Sequence, residues 1–208
     1  EAEKDSLISK QIRDAKFYSK EPVRTSCKNC LEKLDLTKVF FTKVFSSEVS
    51  LDFFLCQRCG HLNGKFRDTE NYSTNLYSGD NAKYGSVTYL KSASTQDDYI
   101  SRVKNIYLPK AKFFERVTKL NKRTTKIWDM GCGAGYLLKS FQQLGYKKLL
   151  GSEIAPDLYE TAKSFLPDIE IVKSSDQDVL HLIEKFDGNV ICMIGVLEHL
   201  VYNTEVIN

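Results

Sequence analysis

Lys126-Ile-Trp-Asp129-Met-Gly131-Cys-Gly133-Ala-Gly135-Tyr-Leu-Leu-Lys-Ser140 is the stretch that decides the fold. A short apolar run carries an acid near its end, three glycines alternate over five positions, and an apolar helix face (Leu137, Leu138, Phe141, Leu144) begins at once. Glycine lets a chain turn sharply and bring its backbone close to a ligand, so the pattern predicts strand, binding turn and helix.

The same alternation continues downstream. Lys148 to Glu153 predicts a second strand, Leu158 to Leu166 a helix, and Ile169 to Val172 and Asn189 to Ile194 two further strands. Strands alternating with helices argue an α/β fold, a Rossmann-like doubly wound parallel sheet. A sheet that stopped at the fourth strand would leave a bare edge, so the sheet is expected to be incomplete at its C-terminal end. The missing initial methionine and the finish at Val206-Ile207-Asn208 likewise predict an excerpt of a longer polypeptide.

Two acids give the glycine turn its chemistry. Glu153 ends the second strand 18 residues after Gly135, where a carboxylate can accept hydrogen bonds from both hydroxyls of a ribose. Asp129, just before the turn, would repel a pyrophosphate and suits an adenosine cofactor that bears an amino group. The competing reading is a phosphate-binding or cofactor-free Rossmann-like domain.

Upstream stand Cys27-x-x-Cys30 and Cys56-x-x-Cys59. A two-residue gap lets both sulfurs of one turn face one ion, and two such turns complete a tetrahedral four-sulfur zinc site. The 25 residues between Cys30 and Cys56 include Val49, Leu51, Phe53 and Leu55 in alternation, which predicts two strands joined near Ser46-Ser47-Glu48 and hence a zinc ribbon. Four thiolates leave no open position, so the zinc is structural, and His61 is a spare polar residue rather than a fifth ligand. Free buried cysteines or a redox pair are the alternatives, although redox chemistry needs only one pair. Cys132, Cys192 and His181 read as structural.

The division along the chain follows. Residues 1–20 form a surface helix or tail ended by Pro22, 21–66 the β-rich zinc ribbon, 67–125 a tyrosine-rich linker or lid with Tyr72, Tyr77, Tyr84 and Tyr89 and then helices, and 126–208 the α/β domain. In the helical part Pro109 marks a start, and Phe113, Val117 and Leu120 mark the apolar face.

Among the 208 residues, 42% are hydrophobic, enough for a packed core, and 30 basic against 27 acidic side chains give a net charge of only +3. No apolar run reaches the ~18 residues of a membrane span, and Glu1-Ala2-Glu3-Lys4 is too polar to open a secretory signal. No membrane partner is expected. Paired cysteines of this spacing point to a reducing compartment, the cytoplasm.

With Asp176-Gln177-Asp178 after the third strand and Gly195-Val196-Leu197-Glu198-His199-Leu200 after the fourth, residues 126–200 resemble the class I S-adenosylmethionine-dependent methyltransferases. That resemblance implies S-adenosylmethionine as cofactor. It implies that Asp129 and Gly131, Gly133 and Gly135 surround the cofactor's amino acid end, that Glu153 holds the ribose, and that Asp176 and Gln177 lie near adenine. Ser174-Ser175 stands where the family commonly has glycine-aspartate. Residues 27–200, with Cys56-Gln-Arg-Cys59-Gly60-His61-Leu62-Asn63-Gly64 and the tyrosine-rich stretch, are similar to bacterial sugar C-methyltransferases and related enzymes of glycan, capsule and natural-product assembly. This implies a small, often nucleotide-linked sugar as acceptor, held partly by the N-terminal module.

His199, beside Glu198, is the candidate general base by position; the competing role for this pair is to shape the pocket. Gly195 interrupts the Glu-x-x-Glu-His arrangement that binds metal in some quinone O-methyltransferases, so no catalytic metal is expected. One of Tyr72, Tyr77 and Tyr84 is expected to line the site. The rival functions are an RNA methyltransferase gripping RNA with the ribbon and a catalytically silent scaffold. Against the first, residues 1–65 carry only 12 basic and 9 acidic side chains, and the Asn/Asp-Pro-Pro-aromatic motif is missing. Against the second stand the intact Asp129, the three glycines and Glu153.

Overall fold

The computed structural model describes residues 2–77, 95–174 and 176–201, and gives the backbone alone for 2–7, 10, 176, 177 and 198. The chain divides into two compact units, Glu1–Ser73 with Val201–Asn208, and Thr74–Leu200.

The first unit holds α1 (Ala2–Tyr18) and an antiparallel sheet of β1 (Phe41–Ser46), β2 (Val49–Leu55) and β3 (Leu62–Gly64), in that order across the sheet. The hairpin turns at Ser47-Glu48, where the alternation predicts it. Val49 and Leu51 are buried against Ala15 of α1, with Ile12, Tyr18, Phe45, Phe53 and Phe66 around them. Phe54, on the opposite face of β2, is equally buried, whereas Leu55 is exposed. The short β3 escapes the sequence pattern; its partners are Phe53–Gly64, Phe54–Asn63 and Leu55–Leu62.

The division between the units falls within α2 (Glu70–Tyr77), and the second unit continues with α3 (Gln96–Arg102), a π-helical turn (Val103–Tyr107) and α4 (Leu108–Thr118). Thr95 caps α3 by accepting the Asp98 N–H at 3.1 Å. Then β4 (Lys126–Met130), α5 (Tyr136–Gln143), β5 (Lys148–Glu153), α6 (Pro156–Phe165), β6 (Glu170–Lys173), α7 (Asp176–Lys185) and β7 (Val190–Cys192) lead to a 3-10 turn (Leu197–His199). All strand pairs are parallel, in the order β6-β5-β4-β7. This is the Rossmann-like sheet predicted, with β4 and β5 bounded as read. The chain steps outward from β4 to β6 and returns to the other side of β4 with β7. The order therefore reverses beside β4, and in such sheets ligands bind where it reverses, at the carboxyl ends of the strands.

The core lies between sheet and helices. Ile127, Leu137, Phe141, Tyr146 and Ala111 form one cluster; Cys132, Leu138, Ala162, Leu166 and Ile171 form another. One sequence reading is corrected. On α4, Phe113 and Val117 are 58% and 56% exposed; the buried residue is Ala111, whose small side chain lets the helix approach, and Phe114 meets Phe141 edge-on at 5.2 Å. Two apolar stripes one residue apart compete on that helix, and spacing alone selects the wrong one. Residues 176–178, which follow the third strand as read, form the first turn of α7, where buried Val179 begins an amphipathic helix face. No helix among the described residues is long and apolar enough to cross a membrane. Tyr84 and Tyr89 lie outside the described residues.

Candidate cofactor and metal sites

The four cysteines of the first unit converge. Cys27 and Cys59 Sγ lie 3.6 Å apart, as do Cys30 and Cys56, and all four sulfurs fall within 4.8 Å of one another. A tetrahedral zinc ion bound at about 2.3 Å separates its sulfurs by about 3.8 Å, so the donor set fits zinc. Two near-identical knuckles bring them there. Leu31 N–H donates to the Cys27 carbonyl and Gly60 N–H to that of Cys56; Cys27 N–H bonds the Glu32 carbonyl and Cys56 N–H that of His61. Both residues that follow a C-x-x-C have left-handed backbone, Leu31 at φ 60° and Gly60 at φ 72°.

Further donors face the sulfurs. The Asn29 N–H and the Asn63 side-chain amide point to Cys27 at 3.4 and 3.6 Å. The His61 N–H helps pull the Cys59 thiol down to about 6. Cys30, despite the Glu32 N–H, is held up at about 12 by burial and by the three other sulfurs. The His61 imidazole is not among the converging ligand atoms.

In the second unit the glycine turn follows β4 directly. Gly131, Gly133 and Gly135 have φ of 65°, 57° and 78°. A Cβ on Gly135 would come within 2.4 Å of Cδ1 of Leu166, which caps the end of α6, so this glycine serves close packing as well as its backbone turn. Gly133 differs: a Cβ there would meet nothing within 4 Å among the described residues, so its surface faces space that a ligand can fill.

Its backbone is held from below. The Gly133 N–H donates to Glu153 Oε2 at 2.7 Å, and the N–H groups of Ile154 and Ala155 donate to Oε1 at 3.0 and 2.8 Å. Glu153 therefore ties the turn after β4 to the turn after β5, a job that the sequence reading did not foresee. Burial raises its pKa, and the three N–H groups oppose that rise. Asp129 is also buried; burial, then the Glu153 charge, pushes it up to about 8. Burial pushes the thiols of Cys132 and Cys192 up, the Asp129 charge adds to both and the Glu153 charge to Cys132, a setting that disfavours the nucleophilic thiolate.

The third cluster lies at the other edge of the reversal. Val196 Cγ2 closes on Gly131, and His199, exposed on the following turn, meets the Tyr77 ring edge-on with centroids 6.1 Å apart. Tyr72 stacks instead on Phe17 in the first unit at 5.5 Å. Of the two candidate tyrosines among the described residues, Tyr72 and Tyr77, Tyr77 is thus the one beside His199. The side chains of Asp176, Gln177 and Glu198 lie outside the described residues; His181 is exposed on α7.

Residues 128–208 match the family model described as "Methyltransferase domain". No curated protein sequence matches the chain. Among solved structures the chain is similar to a TehB-like SAM-dependent methyltransferase from Corynebacterium glutamicum, at 23% identity over 61% of this chain and 56% of that one, TM-score 0.37. It is similar to a SAM-bound amino pentose methyltransferase from Micromonospora echinaspora involved in calicheamicin biosynthesis, at 18% identity over 51% and 47%, TM-score 0.35. A third is the YcgJ protein of Bacillus subtilis, at 13% identity over 47% and 42%, TM-score 0.38. The chain thus spans about half the length of the structures it matches.

Two outcomes follow from the site. Protein prepared with zinc present is expected to hold about one zinc per chain by elemental analysis, and Cys27→Ser or Cys56→Ser to lose both the metal and the fold of the first unit; full retention by either variant would contradict the four-sulfur site. For Asp129 the folded pKa is raised, so its contribution is present below pH 4 and is lost as pH rises toward 8. The ligand-free thermal midpoint is therefore expected to fall from pH 5 to pH 8, and Asp129→Asn to recover about 5 °C at pH 8 and little at pH 5.

Proposed function

We propose that this protein is an S-adenosylmethionine-dependent methyltransferase acting on a small acceptor in the cytoplasm, and that the acceptor is a sugar, a nucleotide-linked sugar or a glycan or capsule precursor. One observation carries the cofactor reading: an open glycine turn at the reversal point of a parallel sheet, locked by Glu153 to the neighbouring strand. The methyltransferase-domain match over residues 128–208 supports the same reading.

When bound, S-adenosylmethionine supplies an activated methyl on a sulfonium. The chain's part is to bind, align and exclude water. Gly131, Gly133 and Gly135 offer backbone that a ligand can approach closely, and Glu153 can present a carboxylate oxygen to ribose hydroxyls while keeping its N–H donors. Asp129, raised while no cation is near, would be restored to its charged form by a cationic ligand, which couples binding to its ionisation. Asp176 and Gln177, at the start of α7 beyond β6, fit the adenine end by position. The zinc is structural.

His199 is the base in this reading, with Glu198 beside it. Its exposure and the edge of the Tyr77 ring give an acceptor hydroxyl or activated carbon a place to lie against an imidazole. The sugar assignment rests on the likeness of the knuckle sequence and tyrosine-rich stretch to sugar C-methyltransferases, and on the modest charge.

Calorimetric titration with S-adenosylhomocysteine should give micromolar binding, lost on Glu153→Ala with the fold verified by circular dichroism; absence of binding to the parent protein would sink the cofactor reading. With a panel of nucleotide-linked sugars as acceptors, His199→Ala should lower turnover at saturating cofactor by roughly a hundredfold or more. Unchanged turnover would leave the pair a pocket-shaping role only.

A further inference from the structure

Residues 104–123 carry seven basic side chains and one acid, Glu115. The excess of +6 is twice the chain's whole net charge of +3, so the remainder of the chain is net acidic. Glu115 pairs with Lys122, which leaves six bases with no further acid in their own segment.

The fold turns this charge outward. α4 faces α5 and β4 through Ala111, fully buried, and through Phe114, which meets Phe141. The opposite side of the helix faces solvent, and it is more than charged. Ile106, Phe113 and Val117 are 41%, 58% and 56% exposed. Their spacings of seven and four residues set them along one side as a ridge. At 3.6 residues per turn, Lys110 falls about 60° to one flank of Phe113, and Arg116 and Lys112 about 60° and 100° to the other. All three bases are exposed. The Lys110 Nζ lies 4.8 Å from the centre of the Tyr107 ring and the Arg116 guanidinium 5.4 Å from that of Phe113, so both cations are kept beside the ridge.

An apolar ridge flanked by cations suits a lipid surface: the ridge enters the acyl boundary while lysine and arginine stems reach back to anionic headgroups. Two other partners fit less well. A second copy laid face to face would set like charges against like, because the segment's one acid is already engaged. A nucleic acid would find cations for its phosphates but a single aromatic ring on the ridge, since isoleucine and valine give bases nothing to stack on.

We propose that the outer face of α4, with Ile106 of the turn before it, docks this protein peripherally on an anionic phospholipid surface. Such a contact needs no spanning segment, in keeping with the absence of a membrane-crossing helix among the described residues. It stands apart from the cofactor reading, because no residue of the ridge belongs to the glycine turn or to the turn that carries His199.

Co-sedimentation with large vesicles tests it. The protein should pellet with vesicles of phosphatidylcholine and phosphatidylglycerol at about 7:3, bind pure phosphatidylcholine at least roughly tenfold more weakly, and lose most of its binding to the mixed vesicles between about 0.1 and 0.5 M salt. Replacing Lys110, Lys112 and Arg116 together by glutamine should weaken binding roughly a hundredfold, at about fivefold per charge near the surface. Phe113→Ser with Val117→Ser should weaken it roughly tenfold or more. All five side chains are exposed, so circular dichroism and the thermal midpoint should match the parent's. Failure to bind the mixed vesicles at the lower salt would overturn the proposal. Unchanged binding by the serine variant would overturn it too, reducing the face to a general polyanion patch. Tighter binding to single-stranded RNA than to vesicles of equal charge would assign the face to nucleic acid instead, and a dimer in sedimentation velocity that the serine variant dissolves would assign it to a second copy.

Discussion

The second unit depends on one carboxylate. Glu153 sits at the end of a central strand, buried, and its charge is supported by three backbone N–H groups drawn from two different turns. Each donor compensates part of the burial, and because one comes from the turn after β4 and two from the turn after β5, the compensation also fixes the distance between the two turns. The conformation of Gly133, and with it the open space above it, follows from that anchor. The glycines supply the permission to turn; the carboxylate selects which turn is made.

The same corner is electrostatically unfinished in the free protein. Two acids, Asp129 and Glu153, are both raised by burial, and the Glu153 charge raises Asp129 further. Such an arrangement favours a cation, and it suits a ligand that bears positive charge at the end nearest Asp129. The thiols of buried Cys132 and half-buried Cys192 are pushed up by burial and then by Asp129, so the corner holds charge without favouring a reactive sulfur.

Much of this was legible in the chain, and the parts that were not share a cause. The bounds of β4 and β5 could be read because an apolar run there ends sharply in an acid or a glycine. The four cysteines could be read because metal chemistry fixes spacing. Tertiary choices could not. Phe113 and Ala111 are both plausible contacts for α4, and only the neighbouring helix decides for the smaller one. The triple hydrogen bonding of Glu153 leaves no trace in its sequence position, since backbone donors carry no residue identity. Tyr99 is invisible for a similar reason: a lone tyrosine in a polar helix reads as surface until Phe165, far along the chain, is seen to cover it. His199 and Tyr77 are 122 residues apart (199 − 77), and no local pattern joins them.

The two cysteine knuckles repeat each other bond for bond, yet they are not equals. One finishes on Gly60, for which left-handed backbone is free of steric cost; the other finishes on Leu31, two-thirds exposed, whose side chain gains little from packing to offset the same conformation. The first knuckle is therefore sprung and the second relaxed. Whatever clasps the four sulfurs therefore works against backbone strain on the Cys27–Cys30 side only, while Cys56 follows directly on β2 and its knuckle carries none.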